Sequence, residues 1–283
     1  MKVGVVLEGG AMRGMFTVGI LDAMMDEGLQ ADGTIGVSAG ACFGVNYKSR
    51  QRGRAIAYNK RFARDIRYGS TLSYIATGNY YNARFAYHIV PTKYDIFDNE
   101  AFEANPMKFY VVCTDIVSGK PIYKECEHGG HEFYEWVRAS ASMPVLSRPV
   151  RIDGYKLLDG GMTDSVPLAY FESIGYERNI VILTQPKGYV KGVNPTMPII
   201  KLFLHKYPMC SQAMQKRHIM YNAQIDYVEQ AEREGRCLIL RPDDYLLIGH
   251  VSHSPTDMQR VYDIGYAYAK RRMEEIREFF LKA

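Results

Sequence analysis

The chain is poor in the features that would assign it to several common classes. Among 283 residues there are five cysteines, Cys42, Cys113, Cys126, Cys210 and Cys237, and no CxxC or CxxxC pair. That spacing supports neither a disulfide framework nor a zinc site, so no metal or cofactor is expected. A reduced, cytoplasmic setting fits such cysteine usage. No stretch reaches the roughly 18 consecutive apolar residues of a spanning helix. The apolar start is interrupted by Glu8 and too short for a secretory signal, so any membrane contact is expected to be peripheral. A dense Lys/Arg stripe with interleaved aromatics is also missing, and the formal charge is only +4. Nucleic acid, which is held through many phosphate contacts, is therefore not an expected partner. Oligomeric state leaves no signature in the sequence.

What is present is a globular pattern. Apolar residues make up 47% and charged residues 23%, which excludes disorder and coiled coil as the main state. Lys2 to Leu7 reads as a buried strand, Glu8 to Gly14 as a glycine-rich turn, and Met15 to Gly28 as a helix. Asp32 to Val37 is a second strand and Ala39 to Arg50 a second helix. Strand, turn, helix, repeated within 50 residues, predicts a parallel α/β sheet. Residues 71–100 hold five tyrosines without a clean period and read as a surface excursion or cap. Further strands are expected at Phe109 to Thr114, Lys120 to Lys124, Asn179 to Thr184 and Cys237 to Leu240. A hairpin with an Asp-Gly turn is expected over 150–158, and helices near 134–142, 198–206, 211–235 and 256–281. No linker rich in Gly, Pro or Ser divides the chain. The expectation is a domain over 1–190 with a mainly helical region, 191–283, packed on the same body.

Three short motifs carry chemistry. Gly9-Gly10-Ala11-Met12-Arg13-Gly14 lies between a strand and a helix, where backbone N–H groups gather at a helix N-terminus. Its ligand can be a pyrophosphate, a nucleotide triphosphate or an oxyanion, or the turn can be empty. The dinucleotide pattern is a near miss, and Met15 and Phe16 stand where a P-loop needs Lys and a hydroxyl. Gly36-Val37-Ser38-Ala39-Gly40 matches G-x-S-x-G between strand and helix. Such a turn holds a serine in a strained conformation with its hydroxyl exposed. Its glycines let neighbouring backbone pass, and the Ala39 N–H faces the hydroxyl side and can help hold an oxyanion. Ser38 follows only the second strand, which fits poorly with the usual α/β-hydrolase order. A serine needs a base. None of the seven histidines has a recognisable catalytic context, and His250 and His253 are the candidates for a triad. Asp159-Gly160-Gly161 follows an apolar strand end and can offer a carboxylate base, although alone it reads as an ordinary turn.

Taken together and in this order, the loop, the elbow and Asp159-Gly160-Gly161 resemble the patatin-like phospholipases. That family's pattern is G-G-G-x-R/K-G, then G-x-S-x-G, then D-G-G/A. Thr114-Asp115, Ala139-Ser140-Ala141-Ser142-Met143-Pro144 and Asp164-Ser165-Val166-Pro167 look like its bacterial branch. The resemblance covers roughly residues 3–185. It implies a three-layer α/β/α sandwich with a mostly parallel central sheet. It also implies a Ser38–Asp159 dyad without histidine, oxyanion amides at Gly9, Gly10 and Ala11, and Arg13 holding the loop. The implied activity is hydrolysis of lipid acyl esters through an acyl-enzyme, with a transacylase or a non-catalytic lipid-binding protein as the alternatives. Ala11 departs from the pattern, and a positive φ there would strain it. From Lys191 to Ile225 there is no Asp or Glu. The cations of that stretch, set beside Ile199, Ile200, Leu202, Phe203 and Leu204, suit an anionic lipid surface at 191–217, or a helix that buries its apolar side.

Overall fold

The structure is a computed structural model and describes residues 1–281, so the last two residues of the expected 191–283 region lie outside the described residues. In chain order the strands are β1 (Val3–Leu7), β2 (Gly33–Val37), β3 (Lys108–Asp115), β4 (Lys120–Glu125), β5 (Val150–Ile152), β6 (Tyr155–Asp159), β7 (Arg178–Ile182) and β8 (Cys237–Leu240). The helices are α1 (Met15–Asp26), α2 (Ala39–Lys48), α3 (Arg54–Phe62), α4 (Thr71–Thr77), α5 (Asn99–Ala104), α6 (His131–Ser140), α7 (Leu168–Ser173), α8 (Met197–Phe203), α9 (Pro208–Arg233), α10 (Pro255–Arg271) and α11 (Met273–Leu281). A π-helical stretch, Phe85–Tyr94, lies between α4 and α5.

The strands form one sheet in the order β5-β6-β3-β2-β1-β7-β8, with β4 also paired to β3. Its centre, β3-β2-β1-β7-β8, is parallel. A parallel strand covered on both faces must be apolar along its whole length, and VGVVL and CLIL are buried at every position. Alternate residues supply opposite layers. Val5, Leu7, Ile180, Ile182, Leu238 and Leu240 meet the layer of α1 and α10. Val6, Val181 and Ile239 meet that of α7 and α9. The result is the expected α/β/α sandwich. The Asp153-Gly154 hairpin turn also forms, with φ positive at both residues, as the two-residue turn requires.

The helix expected over 256–281 is two, broken at Arg272. Residues 71–100, expected as a surface excursion or cap, hold α4, the π-helical stretch and the start of α5. Helix α3 was not foreseen. It is short, and its apolar face is built from Ala55, Ile56 and Phe62.

The C-terminal helices are built into the sandwich. β8 extends the sheet beside β7, and α10 crosses α1 at backbone contact. A Cβ on Gly265 would lie 2.1 Å from the carbonyl oxygen of Phe16. Replacing Gly265 with valine is therefore expected to destabilise the fold by about 3 kcal/mol and to lower Tm by roughly 8 °C. A thermal melt with an unchanged midpoint would show that the crossing is looser than this.

Candidate active site

The site is created by strand pairing. β4 runs along one edge of β3 from Tyr110 to Asp115. The other edge is shared between two strands. β2 covers Lys108 to Val112 and ends with Val37 opposite Val112. β6 covers Cys113 to Asp115 and ends with Asp159 opposite Cys113. β2 is parallel to β3 and β6 is antiparallel, so their C-terminal ends meet head-on. Ser38 follows Val37 and Asp159 closes β6. The two side chains meet there, with the Ser38 hydroxyl close enough to the Asp159 carboxyl to favour its charged form.

Ser140, at the end of α6, closes the gap between the two strand ends. Its Oγ accepts the Ser38 N–H at 2.8 Å and donates to the Val112 carbonyl at 2.6 Å. Ser38 has φ 54° and ψ −120°, a conformation that costs about 1–3 kcal/mol and persists only where packing enforces it. Gly36 lies within β2 between Leu7 and Val111. Gly40 is needed for close approach, since a Cβ there would sit 2.5 Å from the Leu7 carbonyl oxygen. Ala39 opens α2, so its N–H has no intrahelical acceptor.

The glycine loop lies against this elbow. Gly9 sits beside Ser38 Cβ and the Val37 carbonyl, Gly10 beside Thr184, and Gly14 beside Phe43 and Ala39. Ala11 to Gly14 form one 3-10 turn leading into α1. Ala11 does take a positive φ, 49°, so the departure from glycine carries the strain the sequence foreshadowed. The Nη1 of Arg13 donates to His250 Nε2 at 2.8 Å.

Asp159 is held at three points. Its N–H donates to the Ser142 carbonyl at 2.9 Å, and its carbonyl accepts from Thr114 Oγ1 at 2.8 Å. Its Oδ1 accepts the Gly161 N–H at 2.8 Å, while Arg217 Nε donates to the Gly161 carbonyl. Burial pushes the Asp159 carboxyl above the usual carboxylate range. The neighbouring Ser38 hydroxyl, the Arg217 charge and the Gly161 N–H oppose that rise without cancelling it. The outcome is a stronger base than a solvated aspartate.

Neither candidate histidine is hydrogen-bonded to Ser38 or Asp159. His253 is held by Tyr80 and the Ala63 carbonyl. His250 faces Arg13, and burial, with the charges of Arg13, Lys191 and Arg217 behind it, pushes its pKa down. Among the described residues no cluster of potential metal ligands occurs.

Ser38 also lines a cavity of about 120 Å³ walled largely by aromatic and aliphatic side chains, among them Tyr58, Tyr81, Tyr87, Val90 and Phe97. The tyrosine-rich segment thus supplies a wall of this cavity. Cys42 shares it, but burial pushes its thiol up to about 12, so it carries no thiolate near neutral pH.

Sequence reasoning missed the contribution of α9. Arg217 braces the Asp159-Gly160-Gly161 turn, Tyr221 donates to Glu8 Oε1 at 2.8 Å, and Gln224 bonds Asp164 and the Ser165 and Val166 N–H groups. The available signal is the acid-free basic stretch, for which the sequence offers a lipid surface or a helix burying its apolar side.

A parallel α/β/α sandwich carrying a nucleophile-elbow serine beneath a glycine loop defines a class, and comparison with known proteins agrees. The family model for patatin-like phospholipase matches residues 5–172, and the chain belongs to that family. A domain of unknown function (DUF6363) matches residues 207–281. Lysophospholipase nte1 of Aspergillus oryzae is 27% identical over 98% of this chain. That of Emericella nidulans is 28% identical over 97%. The chain spans 18% of the length of each of these curated relatives. The crystal structure of VipD from Legionella pneumophila superposes with a TM-score of 0.46 at 12% identity, over 97% of this chain and 67% of that one.

Two outcomes are expected from this geometry. Ser140→Ala leaves the Ser38 N–H without its acceptor and is expected to destabilise by roughly 1–3 kcal/mol. An unaltered Tm would mean that Ser140 does not fix the elbow. Ala11→Gly relieves about 1–2 kcal/mol of left-handed strain and gives back part of it in backbone entropy. Its Tm is expected to hold or rise by a degree or two, and a clear fall would contradict strain at this position.

Proposed function

We propose that the chain is a serine acyl hydrolase that cleaves carboxylic esters of lipids through Ser38 and Asp159. The observation that carries this reading is Ser38, held in a strained turn on the wall of a largely apolar cavity, with the buried Asp159 carboxyl beside its hydroxyl. Its catalytic unit spans 1–190, with 191–283 packed on the same body. The names of the relatives make lysophospholipids the first substrates to try.

In the proposed reaction Ser38 Oγ attacks the ester carbonyl carbon as its proton passes to Asp159. The carbonyl π electrons move onto oxygen, which the N–H groups of Gly9, Gly10, Ala11 and Ala39 receive. A fixed donor of this kind contributes about 10²–10³ in rate. Collapse of the intermediate breaks the bond to the alcohol, which leaves with the proton from Asp159. Water then gives a proton to Asp159 as its oxygen bonds to the acyl carbon; the bond from that carbon to Ser38 Oγ breaks, Oγ takes the proton back from Asp159, and the carboxylic acid leaves. An alcohol in place of water makes the same acyl-enzyme a transacylase. A non-catalytic lipid-binding role would need no such dyad.

Access from a lipid surface is part of the proposal. α8 buries Met197 and Ile200 but leaves Ile199 57% and Leu202 75% exposed, beside Lys201 and Lys206. Apolar side chains next to lysines suit peripheral contact with anionic lipid. Among the described residues no helix is long and apolar enough to cross a membrane.

A fluorophosphonate probe followed by mass spectrometry tests the reading. An adduct is expected on Ser38 in wild type, with ester turnover lost in Ser38→Ala and reduced at least 10³-fold in Asp159→Asn. Asp159→Asn is expected to melt no lower than wild type at neutral pH. A carboxyl whose pKa is raised by folding loses stability as pH rises through that value, so removing its charge removes a destabilising effect. A folded wild type without adduct or turnover would exclude the hydrolase.

A further inference from the structure

Beside the dyad, outside the residues that line the aromatic cavity, three cations converge without ion-pair partners. Arg13 comes from the glycine loop, Lys191 from the segment after β7, and Arg217 from α9. Arg217 holds the Gly161 carbonyl, two residues beyond Asp159. Lys191 is tied to α9 through two hydrogen bonds between its backbone and the Asn222 amide, at 2.9 and 3.1 Å. Its Nζ lies 4.2 Å from the ring centre of Tyr221. Tyr221 in turn donates to Glu8, the residue that precedes the glycine loop. Arg13 completes the group. Its Nε is buried and has no hydrogen-bond partner among the described residues.

The acids nearby do not neutralise this cluster. Glu8 spends its oxygens on Thr184 N–H, Thr184 Oγ1 and Tyr221. Asp159 is engaged by Ser38 and Gly161. None of the three cations has a salt bridge among the described residues, and no Asp or Glu occurs from 191 to 225. Keeping three cations together, partly desolvated, is unfavourable unless an anion joins them. The Lys191 ammonium registers this: burial first, then the Arg217 and Arg13 charges, bring it down to about 8, although the Glu8 charge acts the other way.

We propose that Arg13, Lys191 and Arg217 form a subsite for a phosphate group, the one carried by the head group of the ester substrate. Two guanidinium forks and a flexible ammonium match several phosphate oxygens, and the unpartnered Arg13 Nε is a donor in wait. The dyad then lies between two unlike receptors, an aromatic and aliphatic cavity for the acyl chain and a cationic one for the phosphate. This assignment rests on the acyl hydrolase reading, and its test is built so that the two can fail separately.

Lys191 is the residue to change, because it touches neither Ser38 nor Asp159. Binding of glycerophosphocholine and of inorganic phosphate would be measured by calorimetry on wild type, Lys191→Gln and the charge-retaining Lys191→Arg. This readout needs no turnover. Hydrolysis of 1-oleoyl-lysophosphatidylcholine and 1-oleoylglycerol, which share an acyl ester and differ in the phosphate, would be compared in the same proteins. Lys191→Gln is expected to weaken glycerophosphocholine binding about tenfold, the scale of one charge-assisted hydrogen bond. The kcat/KM ratio of the two esters is expected to fall by a similar factor, and Lys191→Arg to keep most of both. Absence of glycerophosphocholine binding, or an affinity and ratio unmoved by Lys191→Gln, would overturn the subsite. Binding of inorganic phosphate alone would overturn its assignment to the head group. Failure of wild type to cleave either ester, with the binding result intact, would remove the hydrolase reading and leave the phosphate site standing.

Discussion

One edge of β3 is shared by two strands that run toward each other, and the site follows from that arrangement. A strand pairs on two edges only. β4 fills one from Tyr110 to Asp115, so β2 and β6 must divide the other, changing over between Val112 and Cys113. Because their directions are opposed, the residue after β2 and the last residue of β6 are forced together. No loop has to bring Ser38 to Asp159; the sheet register does so. Ser140 then ties Ser38 N–H to the Val112 carbonyl at the changeover point. A one-residue slip in either strand would turn its side chain to the opposite face of the sheet, and the burial of both faces resists that slip.

Strain and buried charge are tolerated around this junction because the surroundings are rigid. Ser38 and Ala11 both hold positive φ, and both sit where one element passes closely over another. Asp159 and Glu8 are buried carboxylates; Gly161 donates to Asp159 from the turn that follows it, and Glu8 is satisfied by remote donors, Thr184 and Tyr221. Tyr221 and Arg217 belong to α9, and Thr184 follows β7. The C-terminal segment is thus an electrostatic part of the site as well as a layer of the sandwich. Local strain held by remote packing is a common arrangement at reactive centres, and the stability it sacrifices is recovered in the apolar layers on both sides of the sheet.

The strands and the two key side chains were legible in the sequence for a physical reason. A parallel strand buried on both faces is a continuous apolar run, and a sharp strand-to-helix turn needs small residues in fixed places. Val3 to Leu7, Gly36 to Gly40 and Asp159 to Gly161 state those requirements locally. Helix α3 and the helices of 71–100 were not legible, because they are short and bury few apolar residues: α3 and the π-helical stretch share a small cluster around Phe62, Phe85 and Val90, and α4 buries only Ser73. The role of α9 was hidden for a similar reason. Arg217 and Lys191 look like surface charges in a basic stretch, and only the fold of the long helix α9 back across the sheet places them beside Asp159 and Glu8.

The central claim is that a carboxylate, held by strand register, does the work a histidine does in other serine hydrolases. The pH dependence of kcat/KM on a neutral short-chain ester, in wild type and in His250→Gln, tests it most directly. If Asp159 is the base, activity requires its ionised form, and burial places its titration above the ordinary carboxylate value of about 4. The account therefore predicts one acidic limb, displaced upward from that value, a plateau above it, and the same profile in His250→Gln. A limb near pH 6.5 that disappears with the His250 substitution would contradict it, and would make the imidazole the base.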